Sequence, residues 1–319
     1  MGVHTRKIII IGAGHVGSHA GYALASQGLV EEIVYIDVDN AKAKAQALDM
    51  IDAMVYLPKR VSFKAGDYSD AKDADLMIVA AGPLPDMSKG QTRMDTLEQT
   101  IEIIKEVVEN IRASGFQGII LSISNPADVV THYLQNALDY PPPKVLSTST
   151  TLDSARLRRA LSEAIGVDQK SIYAYVLGEH GESQMIPWSA VTVAGKPLIQ
   201  LMDERPDTYG KLDLEALAAE AKAGGWHILG GKGSTEFGIG AAIAEVIKAI
   251  FGDENRILPV STLLNGQYGQ RDVYASVPAI LNRHGVAEVI ELNLTEAEQE
   301  KFNASCQRMD ENFRLALSL

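Results

Sequence analysis

The chain has 319 residues, room for two ordinary domains or one large one, and its 46% hydrophobic and 22% charged residues are those of a globular protein. A formal net charge of −12, with no Lys/Arg cluster longer than the Arg158-Arg159 pair, argues against a nucleic-acid partner, and no apolar run approaches the roughly 18 residues of a membrane helix. The opening MGVHTRKIII enters a strand without an apolar leader, and the one cysteine, Cys306, excludes an internal disulfide framework, so a cytoplasmic protein is expected.

Strands are expected at KIIII (7–11), EIVYID (32–37), LMIVAA (76–81), GIILSIS (118–124) and KVLST (144–148). Helical patterns such as HVGSHAGYALASQG and AKAKAQALDMIDAMV lie between them. Almost wholly apolar strands separated by helices point to a parallel sheet covered on both faces. Gly12, Gly14 and Gly17 of IIIIGAGHVG follow the first strand and open the first helix. In a G-x-G-x-x-G turn the first glycine permits the bend, the second lets a pyrophosphate approach the backbone, and the third lets helix and strand close up. The second strand ends in Asp37, 20 residues beyond Gly17, where a carboxylate binds the adenosine ribose hydroxyls and repels a 2′-phosphate. A Rossmann doubly wound domain that binds NAD is therefore expected over residues 1–146.

AGPLPDMSKGQTRMD (81–95), after the strand at 76–81, is too rich in turn residues for a plain connector. It reads as a lid over a site, with Arg93 near its far end. SNPAD puts Asn125 at the carboxyl end of a parallel strand, the edge where open α/β sheets bind ligands. From 147 to 319 the pattern becomes that of an α+β domain with antiparallel strands. It opens with the helix TLDSARLRRALSEAIG, with Thr151 expected as N-cap and Asp153 and Arg156 on one face. SIYAYVLG, WSAVTVAGKPLI, ILPVSTLL, VYASVPAIL and AEVIEL read as strands, two helices flank GGKGST, and a last helix starts at Thr295. GEHGES holds His180 in a glycine-flanked turn.

In this order and spacing, GAGHVG, AG…TRMD, SNPAD, TLDSAR, GEHGES and KGST resemble the L-lactate/malate dehydrogenase superfamily from Lys7 to the final helix. Within it the chain most resembles the L-2-hydroxyisocaproate dehydrogenases, which act on branched aliphatic 2-hydroxy acids. The resemblance implies that His180 is the acid/base and that Asp153 orients it. It implies that Arg156 binds the substrate carboxylate through both arms of its fork, and that Arg93 polarises the carbonyl when the lid closes. Asn125 would place substrate and nicotinamide, and Thr235 would line the pocket. A small 2-oxo or 2-hydroxy acid substrate, NAD and a homo-oligomer, expected to be a tetramer, are also implied.

Six residues before Arg93 the family has a discriminating position, glutamine in lactate enzymes and arginine in malate enzymes; this chain has Met87 there, in a longer loop. Without an arginine to meet a second carboxylate, malate is disfavoured. Gly224-Gly225 stands where lactate enzymes carry small alanines. Glycine pair, methionine and longer lid together predict a roomy apolar pocket that prefers substrates such as 2-oxoisocaproate. Lactate dehydrogenase is the alternative, and a malate enzyme or a non-catalytic NAD-binding protein is more remote. Arg158 matches an arginine of the fructose 1,6-bisphosphate site in allosteric members, but Tyr173 replaces its histidine partner, so that activation is not expected.

Overall fold

The computed structural model describes residues 5–85, 89–92 and 94–319. In β1 (Lys7–Ile11), Ile8 and Ile10 face one apolar layer and Ile9 and Ile11 the other, as in a strand buried on both sides. After α1 (His15–Ser26) come β2 (Glu32–Ile36), α2 (Asn40–Ala53), β3 (Ser62–Ala65) and β4 (Leu76–Val79). Then follow α3 (Leu97–Ser114), β5 (Ile119–Ser122), α4 (Ala127–Leu138) and β6 (Val145–Ser147). These six strands are parallel, in the spatial order 3-2-1-4-5-6. The order reverses between β1 and β4, so their carboxyl ends open a crevice, the ligand site of doubly wound sheets. Helix α3 shows how the flanking layers form. Leu97, Ile101, Ile104, Val108 and Ile111 recur at helical spacing and are buried, and the helix stops at Gly115 in the left-handed region (φ 72°).

The second half contains α5 (Thr151–Ile165), β7 (Ile172–Tyr173), β8 (Thr192–Val193), β9 (Lys196–Pro197), α6 (Leu198–Glu204), α7 (Leu214–Lys232) and α8 (Phe237–Phe251). It ends with β10 (Arg256–Asn265), β11 (Arg271–Asn282), β12 (Gly285–Val289) and α9 (Glu296–Ser318). Strands β7, β8 and β9 form a small antiparallel sheet. The long antiparallel β10–β12 instead extends the parallel sheet, because Ser261 of β10 pairs with Ser147 of β6. Among the described residues this makes one nine-stranded sheet. Most of SIYAYVLG is irregular, but Leu177 bridges Met185 and Gly178 bridges Ser276, which pins the approach to His180. Thr151 is the first residue of α5 rather than its cap; its hydroxyl donates to Thr148 O at 2.6 Å. At α9 the expected start holds: Thr295 and Glu298 form a reciprocal capping box. Ile243 and Ile247 of α8 share a core with Ala20 and Leu24 of α1. That packing brings the start of α8 beside the glycine turn.

Candidate active site

Each glycine after β1 meets a different constraint. Gly12 has φ +95°, and a Cβ on it would lie 2.4 Å from Ala80 O. A Cβ on Gly17 would lie 1.9 Å from Gly12 O, so this glycine lets α1 close on the turn. A Cβ on Gly14 would meet only Lys42 Nζ, at 3.8 Å, which leaves that backbone open to a ligand. Asp37 accepts from the N–H groups of Ala13 (2.7 Å) and Asp39 (2.9 Å). Gly12, Gly14, Asp37, Gly82 and Val107 line a cavity of about 580 Å³ at the sheet crevice. An open glycine backbone at a helix N-terminus with a carboxylate at the far wall fits an adenosine diphosphate moiety.

A second, smaller cavity of about 70 Å³ lies beyond it, lined by Val16, Asn125, Leu152, Arg156, His180 and Thr235 among others. Five of the sequence-derived site residues are thus brought together or linked. Asn125 follows β5 and precedes a cis peptide bond to Pro126. Asp153 and Arg156 lie in the first two turns of α5, on one helical face; Arg156 lines the cavity, and Asp153 is bonded to Arg156. Asp153 Oδ2 meets His180 Nδ1 at 2.5 Å, and Asp153 Oδ1 accepts from Arg156 Nη1 at 2.7 Å. A carboxylate only accepts, so Nδ1 carries a hydrogen and Nε2 is left for a ligand. Arg156 is 7% exposed, yet its Nε has no partner, and Asn125 Oδ1 is also buried without one. Native proteins rarely leave buried polar atoms unpaired, so both mark where a polar ligand sits. Arg93 and Met87 lie outside the described residues.

Sequence reasoning missed one group. Asp128, in the first turn of α4, is 2% exposed; it accepts from His180 N–H at 2.7 Å and from the Ser149 hydroxyl at 2.8 Å. Burial pushes its carboxyl up, while the bond from the His180 amide works the other way. The available signal was an acid inside the otherwise apolar start of a helix, within SNPAD itself. The opposite side of the histidine turn is tied to α9, where Ser305 Oγ accepts from Glu179 N–H at 3.0 Å. The histidine therefore hangs between two buried anchors.

The glycine pair has a role other than the one expected. Gly224 and Gly225 of α7 are buried against Arg156, and a Cβ on either would lie 3.2 Å from that side chain. They seat the guanidinium. Their small size is therefore no argument for a wide substrate pocket.

Residues 6–147 match the lactate/malate dehydrogenase NAD binding domain, and residues 150–318 match the lactate/malate dehydrogenase alpha/beta C-terminal domain. The chain is 44% identical to L-lactate dehydrogenase 3 of Bacillus cereus over 95% of each chain. It is 38% identical to L-lactate dehydrogenase 2 of Enterococcus faecalis over 97% of this chain and 96% of that one. Its fold is similar to the ligand-bound minor L-lactate dehydrogenase of Enterococcus mundtii, with a TM-score of 0.93 at 37% identity, covering 98% of this chain and 99% of that chain. A lactate dehydrogenase from a deep-sea metagenome, MGS-M5, also superposes with a TM-score of 0.93, at 38% identity over 99% of this chain and 100% of that one. With a dinucleotide cavity, a carboxylate–imidazole pair and a buried arginine whose Nε has no partner in one crevice, the chain belongs to the lactate/malate dehydrogenase family and is an NAD-dependent 2-hydroxyacid dehydrogenase of the lactate type.

Proposed function

We propose that this enzyme interconverts pyruvate and L-lactate as its principal substrates. The observation that carries the reading is the buried Arg156 guanidinium, whose Nε lacks a partner and whose Nη1 is held by the carboxylate that also holds His180. A carboxylate bound at Arg156 sets the neighbouring carbonyl beside His180, because the two side chains share Asp153. Bound NADH supplies the hydride to the carbonyl carbon. His180 gives the proton from Nε2 to the carbonyl oxygen, and Asp153 stabilises the imidazolium before transfer. Lactate oxidation runs the same steps backwards. Asn125 positions substrate and nicotinamide, Thr235 bounds the substrate methyl group, and Arg93, carried in by the lid, polarises the carbonyl. The dinucleotide-binding work falls to residues 1–146 and the substrate work to 147–319.

A second reading, preference for longer aliphatic 2-oxo acids such as 2-oxoisocaproate, has one observation in its favour. A cavity of about 290 Å³ lined by Leu152, Ala155, Ile228 and Phe237 shares Leu152, Arg156 and Thr235 with the substrate cavity. Extending a methyl to an isobutyl group adds three carbons, roughly 2.4 kcal/mol at about 0.8 per buried carbon. Measuring kcat/KM with NADH for pyruvate, 2-oxoisocaproate and oxaloacetate at one pH decides between the readings. Pyruvate is expected to lead. A clear lead for 2-oxoisocaproate would establish the second reading, and a lead for oxaloacetate would overturn both.

The enzyme is also proposed to be a cytoplasmic homo-oligomer, a tetramer by its resemblance to the family. Leu48, Ile51, Val55 and Tyr56 form an exposed apolar stripe along α2 and the turn after it, with Val55 82% and Tyr56 88% exposed. Monomers seldom present such a stripe to water.

A further inference from the structure

The glycine turn carries a side chain that its fingerprint does not require. His15 is the first residue of α1, and its side chain is 67% exposed. Its neighbours belong to different cavities: Gly14 lines the larger one and Val16 the substrate one. A dinucleotide that spans both must pass over His15, and its pyrophosphate is the part that lies at the helix N-terminus.

The imidazole is held from the other half of the molecule. His15 Nδ1 lies 2.9 Å from Glu236 Oε1, and Glu236 precedes α8 directly after Thr235. Because the carboxylate only accepts, Nδ1 carries the hydrogen, and Nε2 is the ring nitrogen that Glu236 does not engage. Glu236 is a firm anchor. Hydrogen bonds from Lys232 and Ser234 hold its carboxyl down to about 2, so it stays ionised. The charged or titratable groups around the imidazole are Glu236 from the turn before α8, Lys232 at the end of α7 and His19 of α1 itself. Lys42 of α2 stands over Gly14 and is 3.7 Å from Asp37.

We propose that His15 is a cofactor-binding residue, an imidazolium that Glu236 orients and that donates from Nε2 to the NAD pyrophosphate. This rests on assigning the two cavities to one dinucleotide. An anchored imidazolium adds a charge-assisted bond to those of the helix N–H groups. Since donation from Nε2 needs the second ring proton while Nδ1–H is given to Glu236, NADH binding then weakens as rising pH removes that proton. The contact also ties the glycine turn to the segment that bears Thr235.

The test is the NADH dissociation constant, read by fluorescence at pH 6.0 and 8.5, for the wild type, His15→Asn and His15→Arg. The exposed position makes all three proteins expected to fold, which their melting temperatures check. Wild type is expected to bind about tenfold tighter at pH 6.0 than at pH 8.5, the scale of one charge-assisted bond at an open site. His15→Asn is expected to lose about tenfold at pH 6.0 and to become insensitive to pH. His15→Arg, with a fixed charge, is expected to bind tightly at both. Wild-type affinity in His15→Asn at pH 6.0, or the wild-type pH dependence in either variant, would overturn the proposal. Failure of the wild type to bind NADH would instead overturn the cavity assignment.

Discussion

The adenosine cradle and the proposed proton-transfer centre lie in one crevice but treat their polar groups in opposite ways. In the cradle, Asp37 is already engaged by two backbone N–H groups, and the glycines adjust shape alone. In the catalytic centre, Arg156 Nε and Asn125 Oδ1 are buried and unpaired. Leaving a buried polar group unsatisfied costs about 1–3 kcal/mol, more when it is charged. A carboxylate arriving at Arg156 Nε relieves that cost and makes it selectivity for an anionic ligand, whereas Asn125 Oδ1, an acceptor, calls for a donor group on the ligand. The cradle, which is internally satisfied, binds through shape and open backbone. A polar atom left unpaired is as informative about a site as one that is paired.

The largest effect that could break this contrast is at His180. Replacing it in His180→Gln removes the proposed proton donor while sparing the cradle. The turnover of pyruvate is expected to fall about 10³-fold, with NADH binding unchanged within twofold by fluorescence. A parallel loss of NADH affinity would mean that cradle and centre are not separable. A smaller effect sharpens the role of the glycine pair. In Gly225→Ala the new methyl meets the Arg156 guanidinium at 3.2 Å and shifts it by a few tenths of an ångström. KM for pyruvate is expected to rise about tenfold, since misplacing a binding group by 1 Å costs up to about a hundredfold. Thermal stability should hold or rise, because alanine favours a helix over glycine by up to about 1 kcal/mol. A variant that keeps pyruvate activity and loses only 2-oxoisocaproate activity would restore the view that these glycines make room for substrate.

Much of this architecture is legible in the residues. The five parallel strands with apolar runs were expected, because strands buried on both faces carry almost no polar residues. Strand β3 was not expected: SFKA sits at the sheet edge with Ser62 and Lys64 exposed, and too little of it is apolar to stand out. The junction of β10 with β6 rests on one serine pair, which no local pattern announces. In the site, Asp153, Arg156 and His180 lie in motifs whose order and spacing carry the family resemblance, and the roles expected of them come from it. Asp128 lies in a motif too, but its partner is a backbone N–H 52 residues away, and backbone partners leave no trace in composition. The glycine pair was misread for a related reason. Glycine marks close approach, and only the fold tells whether the approaching group is a substrate or the enzyme's own arginine.

The claim that anchoring and proton transfer are separate duties joined at Asp153 is tested most directly with oxamate, which carries the pyruvate carboxylate but accepts no hydride. We would titrate it into the NADH-saturated wild type, Arg156→Leu and His180→Gln proteins by calorimetry. The account predicts a loss of affinity of about 30-fold or more in Arg156→Leu, the scale of a buried charged pair, and a much smaller loss in His180→Gln. Undiminished binding in Arg156→Leu would contradict it, because the carboxylate would then sit somewhere other than at the Arg156 guanidinium.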